Sequence, residues 1–324
     1  MKILVTGGLG LIGHNVVHRL EKQGHEVVIV DNQTTYGIIP ESELQYLLQE
    51  RKNKIARSEI IISDICDFVR MSDVIKKNRF DCIIHMASFP RQKVVNVNPM
   101  LGSRVMVEGL LNLLEIAHTN SVKKFVYISS SMVYGNFNHT IKEQEQCNPI
   151  GQYGIMKLAG EDLVKDYHRR GCFNYTIIRP SAVYGPLDVE DRVISKFVLT
   201  AMRGGQLKVK GENEMLDFTY VADAADGIVA AVNSNEANNK TYNITKGAST
   251  TLLQAAQLAI KIVGKGHLEV EEKDEDFPSR AALDITAART DFGYNPKVTV
   301  EQGFVEYFNW LKSSPYWTKQ INTL

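Results

Sequence analysis

Short apolar runs and amphipathic stretches alternate along the first 130 or so residues of the chain. Segments 3–5, 26–30, 60–62, 82–86 and 125–128 carry apolar, often β-branched residues on consecutive positions, as strands covered on both faces do. Between them, Ile12, Val16 and Leu20 recur every four residues within 11–23. Leu110, Leu113, Leu114 and Ala117 share one face of 105–117, as a helix packed on a core requires. Strands alternating with helices predict β-α-β units, hence an α/β fold with a doubly wound parallel sheet. A sixth strand fits 175–178. After Arg179-Pro180 the pattern loosens, with turn signals at Gly185-Pro186 and Gly204-Gly205. A helix follows over 253–263, then a polar acidic stretch over 269–276, read as a solvated surface, and an amphipathic segment ending near Trp310.

Composition narrows the class. A chain of 324 residues is long enough for about two domains. Hydrophobic residues make up 44% and charged residues 23%, ordinary values for a globular protein. Thirty-seven basic residues balance 37 acidic ones, which excludes a strongly basic nucleic-acid binder but leaves room for a local basic pocket. Cys66, Cys82, Cys147 and Cys172 show no C-x-x-C spacing, so they read as reduced thiols. No His/Cys/Asp/Glu grouping has metal-ligand spacing, and no metal is expected. The first apolar run stops at glycines after five residues, too short for a signal peptide or a membrane span, and a cytoplasmic protein is expected.

The run Thr6-Gly7-Gly8-Leu9-Gly10-Leu11-Ile12-Gly13 follows the first strand directly and opens the first helix. Glycine there permits a tight turn, the approach of backbone to a pyrophosphate, and close helix–sheet packing. The helix N-terminus offers unpaired N–H groups and a positive dipole end to phosphates. Asp31, at the end of the second strand, can accept hydrogen bonds from ribose hydroxyls and would repel a 2′-phosphate, which favours NAD over NADP. The plain alternative is a glycine turn with no ligand.

Tyr153-Gly154-Ile155-Met156-Lys157 is a Y-x-x-x-K pair on one helix face. A phenol ionises near pH 10, and a nearby cation lowers that value toward the range useful to an acid–base catalyst. Alone, the pair also reads as an ordinary surface contact. The serines Ser129-Ser130-Ser131 end the fifth strand, on the side of the sheet where ligands bind in doubly wound folds.

Together these residues resemble the extended short-chain dehydrogenase/reductase family, in particular its NAD-dependent nucleotide-sugar epimerase/dehydratase group. T-G-G-x-G-x-x-G falls at Thr6–Gly13, S-S-x-x-V-Y-G at Ser129–Gly135 and Y-x-x-x-K at Tyr153 and Lys157. Arg179–Pro186 is similar to R-x-x-N-x-Y-G-P, and Asp217–Asp223 to R-D-F-T-Y-V-x-D without its first residue. Leu283-Asp284-Ile285 and Gly293-Tyr294-x-Pro296 close the pattern. The resemblance implies a dinucleotide-binding domain over 1–178 plus about 219–250. A smaller mixed α/β substrate domain then takes about 179–218 plus 251–324. It implies NAD as cofactor, held by Gly7, Gly10, Leu11, Ile12, Gly13, Asp31, Asn32, Asp64, Ile65, Met86, Ala87, Ser88, Tyr153, Lys157 and Pro180. It implies Ser130, Tyr153 and Lys157 as the catalytic set. Tyr153 takes a proton from a sugar hydroxyl, usually at C4, while hydride leaves the same carbon, and return of hydride to the opposite face gives a 4-epimer. It also implies a homodimer built as a four-helix bundle from 105–117 and 153–169.

Departures from the family pattern narrow the chemistry. The group's 4,6-dehydratases carry Asp-Glu after the catalytic hydroxyl residue, where this chain has Ser131 and Met132. Methionine has no proton to transfer, which disfavours dehydration. The family Asn is Ala182 and the Arg before Asp217 is Leu216, so another cation is expected to hold a substrate diphosphate. Arg280 is the first candidate, Arg192 and Lys196 the next. Ser131, Met132, Ser181 and Ala182 complete the expected substrate contacts. Phe89-Pro90-Arg91 is expected at the mouth of the site, with Arg91 meeting a carboxylate or phosphate. His85 reads as a wall or core residue, and Tyr134 and Tyr184 as packing residues. The alternatives to a 4-epimerase are a nucleotide-sugar 4-ketoreductase or dehydrogenase, and a catalytically silent NAD-binding regulator.

Overall fold

A computed structural model describes residues 1–89, 91–275 and 277–322 of the chain. Pro90 and Asp276, which belong to the 89–91 and 269–276 segments singled out above, lie outside the described residues. The six apolar runs become β1 (Lys2–Thr6), β2 (Glu26–Asp31), β3 (Glu59–Ile62), β4 (Cys82–His85), β5 (Lys124–Ile128) and β6 (Asn174–Pro180). Shorter strands follow: β7 (Val183–Tyr184), β8 (Gln206–Lys210), β9 (Met215–Leu216), β10 (Thr219–Tyr220), β11 (Lys240–Ile244), β12 (Thr250–Thr251) and β13 (His267–Glu271).

Seven strands form one parallel sheet in the order β11-β6-β5-β4-β1-β2-β3. Their consecutive apolar residues serve two cores at once. Ile3, Val5, Val27, Ile29 and Ile84 point to one face, whereas Leu4, Val28, Val30 and Ile83 point to the other. Successive side chains of a strand alternate, so only an unbroken apolar run can fill both layers.

The helices that cover the sheet and its flank are α1 (Leu11–Lys22), α2 (Glu41–Asn53), α3 (Phe68–Asn78), α4 (Gln92–Val97), α5 (Pro99–Ser103), α6 (Gly109–Thr119), α7 (Gln152–Arg169) and α8 (Val193–Met202). They continue with α9 (Val221–Asn233), α10 (Leu252–Val263), α11 (Thr286–Phe292), α12 (Val300–Ser313) and α13 (Pro315–Asn322). α1 and α9 pack together on one face, and α3, α6 and α7 lie on the other. The helix expected over 105–117 differs at its start. A π turn, Arg104–Glu108, precedes α6, and it buries both Val105 and Met106.

Beyond β6 the chain builds a third core from α8, α10 and α12, with Phe197, Val198, Ala255, Ala259, Phe304 and Tyr307 buried in it. Capping boxes fix the starts of α10 (Thr251 with Gln254) and α12 (Thr299 with Gln302). β13 and β8 pair in parallel over this core. Among the described residues, no helix is long and apolar enough to cross a membrane.

Candidate active site

β1 has β4 on one side and β2 on the other, so the strand order reverses there. Ligands of doubly wound sheets bind outside the carboxyl ends of strands at such a reversal. A cavity of about 710 Å³ opens at that place. It runs from the glycine loop past the ends of β2, β4, β5 and β6 to residues of the third core.

The glycine loop is shaped by what side chains would hit. A Cβ on Gly7, where φ is +70°, would lie 2.7 Å from the Ala87 backbone nitrogen. A Cβ on Gly13 would lie 2.3 Å from the Gly7 carbonyl oxygen. The bare backbone thus folds tightly against β4 and leaves Gly10, Leu11 and Ile12 lining the cavity at the start of α1. Asp31 sits beside the loop. Its Oδ2 accepts from Leu9 N at 2.9 Å and its Oδ1 from Gln33 N at 2.7 Å. Burial pushes this carboxyl up, and the two N–H donors with Arg51 and Lys52 pull it back.

Asn32, Ile65, Met86, Ala87, Ser88 and Pro180 also line the cavity. Asp64 does not. It closes the turn after β3, with Oδ1 accepting from Cys66 N at 2.8 Å and Oδ2 from Asn32 Nδ2 at 3.3 Å. It is therefore a support for Asn32 and the turn rather than part of the wall. His85 lies behind the wall, buried, with Nδ1 2.8 Å from Thr6 Oγ1. Burial pulls its pKa down to about 3, so the ring is neutral.

The reacting groups expected from sequence share the middle of the cavity. Ser130 caps the 3-10 turn Ser131–Tyr134, its Oγ accepting from Met132 N at 3.2 Å. Tyr153 and Lys157 project from the first turns of α7, and the Lys157 ammonium lies 6.0 Å from the centre of the Tyr153 ring. Lys157 Nζ donates to the Ile128 carbonyl at 2.8 Å and lies 5.2 Å from the centre of the Tyr127 ring. Burial drags its pKa down to about 7, against the opposing charge of Glu161. Burial raises the Tyr153 phenol, and Arg192, the Ser130 hydroxyl and Arg280 act in the opposite direction. The cations acting on the phenol are thus arginines from the far side of the cavity, a contribution the Y-x-x-x-K spacing does not contain.

On that far side lie Arg91, Ser131, Met132, Ser181, Ala182, Arg192, Lys196 and Arg280. Arg280 Nη1 donates to Ser131 Oγ at 3.1 Å, and its Nε is buried without a partner. Arg192 Nε is likewise buried and unpartnered. Arg91 lines the cavity but pairs with a carboxylate of the chain itself, that of Asp191, which also pairs with Lys196. Tyr134 and Tyr184 pack as expected, with hydroxyls on Asn243 Oδ1 at 2.8 Å and the Val300 carbonyl at 3.2 Å. Among the described residues, no group of His, Cys, Asp or Glu could hold a metal ion.

Three residues of the site escape the sequence reading. Arg51 is buried on α2 and ties the glycine loop to the turn after β7, donating to Leu9 O at 3.0 Å and Leu187 O at 2.6 Å. Its signal was periodicity: Leu44, Leu47, Leu48 and Arg51 fall on one apolar face. Asp188 is buried among Arg192, Arg51 and Arg91, and burial raises its pKa to about 6. Gln92 Oε1 accepts from Tyr153 N at 3.3 Å and so fixes the start of α7.

Comparison with known proteins shows the family of the chain. Residues 3–245 match the NAD dependent epimerase/dehydratase family. A protein of Methanocaldococcus jannaschii provisionally named a UDP-glucose 4-epimerase is 30% identical over 323 residues, covering 96% of this chain and 99% of its own. The dTDP-glucose 4,6-dehydratase of Streptomyces niveus is 28% identical, with 100% and 96% of the two chains covered. The crystal structure of UDP-glucuronic acid 4-epimerase from Bacillus cereus, in complex with UDP-glucuronic acid and NAD, is 26% identical. It superposes with a TM-score of 0.88 over 96% of this chain and 99% of that one. The chain belongs to the NAD dependent epimerase/dehydratase family, with NAD as its cofactor.

Proposed function

We propose that the chain is a nucleotide-sugar 4-epimerase acting by transient oxidation at C4. The observation that carries this reading is the meeting of Ser130, Tyr153 and Lys157 at the strand-order reversal, with Met132 beside them where an acid would serve a dehydratase. The residues fit NAD: Gly7 and Gly13 form a cradle that a Cβ would fill, and Asp31 stands at its rim with acceptor capacity to spare. When bound, NAD supplies a group that takes up and gives back a hydride.

The chain's own residues do the rest. Gly10, Leu11 and Ile12 present backbone N–H groups to phosphate, and Asp31 accepts from ribose hydroxyls. Tyr153, as phenolate, accepts the proton of the C4 hydroxyl and returns it when the 4-keto sugar has turned over. Ser130, whose hydroxyl lowers the phenol's pKa, stands ready to hold the same sugar oxygen. Lys157, 6.0 Å from the centre of the Tyr153 ring, would hold the nicotinamide ribose and contributes positive charge to the pocket. Arg280 and Arg192, with unpartnered guanidinium nitrogens at the far side, serve a substrate anion. Ser131, Ser181 and Ala182 frame the sugar between them. On this reading 179–218 and 251–324 form the substrate-holding part. Copies pair through α6 and α7, where Ile155 is half exposed, and the protein works in the cytoplasm.

The test is proton NMR of the purified protein with catalytic NAD and a panel of UDP-glucose, UDP-N-acetylglucosamine, UDP-glucuronate and GDP- and CDP-hexoses. A C4 epimer formed without net NADH supports the reading and names the substrate. Stoichiometric NADH moves the assignment to a dehydrogenase or ketoreductase.

A further inference from the structure

One buried carboxylate touches every element that carries the reacting groups. Glu161 lies on α7 one turn beyond Lys157 and two turns beyond Tyr153, and it is completely buried. Its Oε1 accepts from Ser129 Oγ at 2.6 Å, at the end of β5 and next to Ser130. The same oxygen accepts from Arg179 Nε at 2.8 Å, and Oε2 accepts from Arg179 Nη2 at 2.6 Å, so β6 is held just before Pro180 and Ser181. Arg179 in turn stacks 4.7 Å from the centre of the Tyr134 ring and donates to the Glu143 carbonyl at 3.1 Å. We propose that Glu161 is a positioning residue of the active site. Its carboxylate locks the Tyr153–Lys157 helix to the Ser129–Ser130 strand end and to Arg179, and it supplies the buried negative charge that holds Lys157 as an ammonium.

The surroundings of Lys157 leave that task to Glu161. On α7 itself the neighbouring groups are Tyr153 and Glu161, with Lys165 3.7 Å from Glu161 Oε2 at the outer side. β5 contributes the Tyr127 ring and the Ile128 carbonyl. β4 contributes His85, whose ring is neutral. β6 contributes Arg179, which is spent on Glu161, and the turn after β5 contributes Tyr134 beneath Arg179. α6 contributes Glu115, which is engaged by the Tyr167 hydroxyl at 2.9 Å. Of these, Glu161 alone is a carboxylate acting on Lys157, and its charge opposes the burial that strips the proton. A bidentate guanidinium–carboxylate pair also resists rotation, so the three elements keep one register.

The inference rests on the reading of Tyr153 and Lys157 as reacting groups, and its test is readable without turnover. Protein labelled with 13C at the lysine ε-carbons is titrated by NMR, and the Lys157 signal is assigned by its loss in Lys157→Met. The parent signal titrates near neutrality. In Glu161→Gln the midpoint falls by about one pH unit or more, and in Glu161→Asp it returns toward the parent value. Glu161→Gln leaves Arg179 without its partner, so Glu161→Gln/Arg179→Gln is made beside it, and a smaller fall in the same direction is expected, because the guanidinium charge leaves with the carboxylate. The pH dependence of kcat moves acidward in step, whereas a merely structural role lowers kcat equally at all pH values. An unchanged Lys157 midpoint in either Gln variant overturns the proposal. Absence of epimerisation in the parent, with the midpoint still moving, would instead count against the proposed function alone.

Discussion

Arg280 reaches across the cavity to donate to Ser131 Oγ at 3.1 Å, which sets a guanidinium from the far side next to the serine turn that carries Ser130. Its charge lowers the Tyr153 phenol. Arg280→Met removes that help, so the phenol ionises at higher pH. The limb of the kcat profile that rises with pH shifts to higher pH, and turnover at pH 7 falls by up to about tenfold for each pH unit moved. Measuring kcat from pH 6 to 10 for parent and variant checks this, because the rising limb of the variant should lie at higher pH than the parent's.

Tyr153→Phe keeps the ring and removes the proton acceptor. NAD affinity by fluorescence titration should change little, while turnover falls by about 100- to 10,000-fold. Retained turnover would identify another group as the base.

Ala182 occupies φ +37°, a left-handed conformation that strains an ordinary side chain and suits asparagine far better. The family pattern places Asn at this position, and here it is alanine in the cavity wall. Ala182→Asn should stabilise the fold by about 0.5–1 kcal/mol in urea denaturation. It should also lower KM, because the amide gains reach to the substrate.

Glu43 is buried, and its Oε1 accepts from Glu190 N at 2.7 Å, tying α2 to the loop that carries Asp188 and Asp191. Burial, with Glu190 and Asp188 nearby, raises its pKa to about 7. A carboxyl raised above its unfolded value contributes stability that is full below about pH 4.5 and is lost as pH climbs through 7. Glu43→Gln removes that dependence. Relative to the parent, the variant should gain about 1–3 kcal/mol between pH 5 and pH 8.5, read as the change in the difference of urea midpoints.

Gly13→Ala places a methyl group 2.3 Å from the Gly7 carbonyl, where only backbone stands and nothing flexible can yield. The variant should lose about 1–3 kcal/mol of stability and bind NAD more weakly than the parent by isothermal titration.

The sheet was legible because parallel strands with two covered faces need consecutive apolar residues. Ile3 and Leu4 could not both be buried in any one-sided strand. The glycine loop stood out because it follows a strand and opens a helix, and the serine, tyrosine and lysine positions because they recur in order with it, although each spacing alone is common. What escaped the sequence was set by tertiary contact. Arg51 stands at an apolar position of α2, and only the fold reveals that the carbonyls of Leu9 and Leu187 lie within reach of its guanidinium. The π turn at Arg104–Glu108 shifts the helix by a single residue, too little to disturb an apolar pattern of period 3.6. Asp64 keeps its place in the motif, and its second task, closing the turn after β3, shows only in the fold.

The central claim, transient oxidation at C4 with hydride returned to the same carbon, is tested most directly with a nucleotide sugar deuterated at C4. The substrate is the one that turns over in the panel, and the reaction is run in ordinary water. An epimer that keeps its deuterium at C4, with no NADH accumulating, is expected. An epimer carrying solvent hydrogen at C4 would contradict it, because the hydrogen would then have left as a proton rather than as a hydride held within the site.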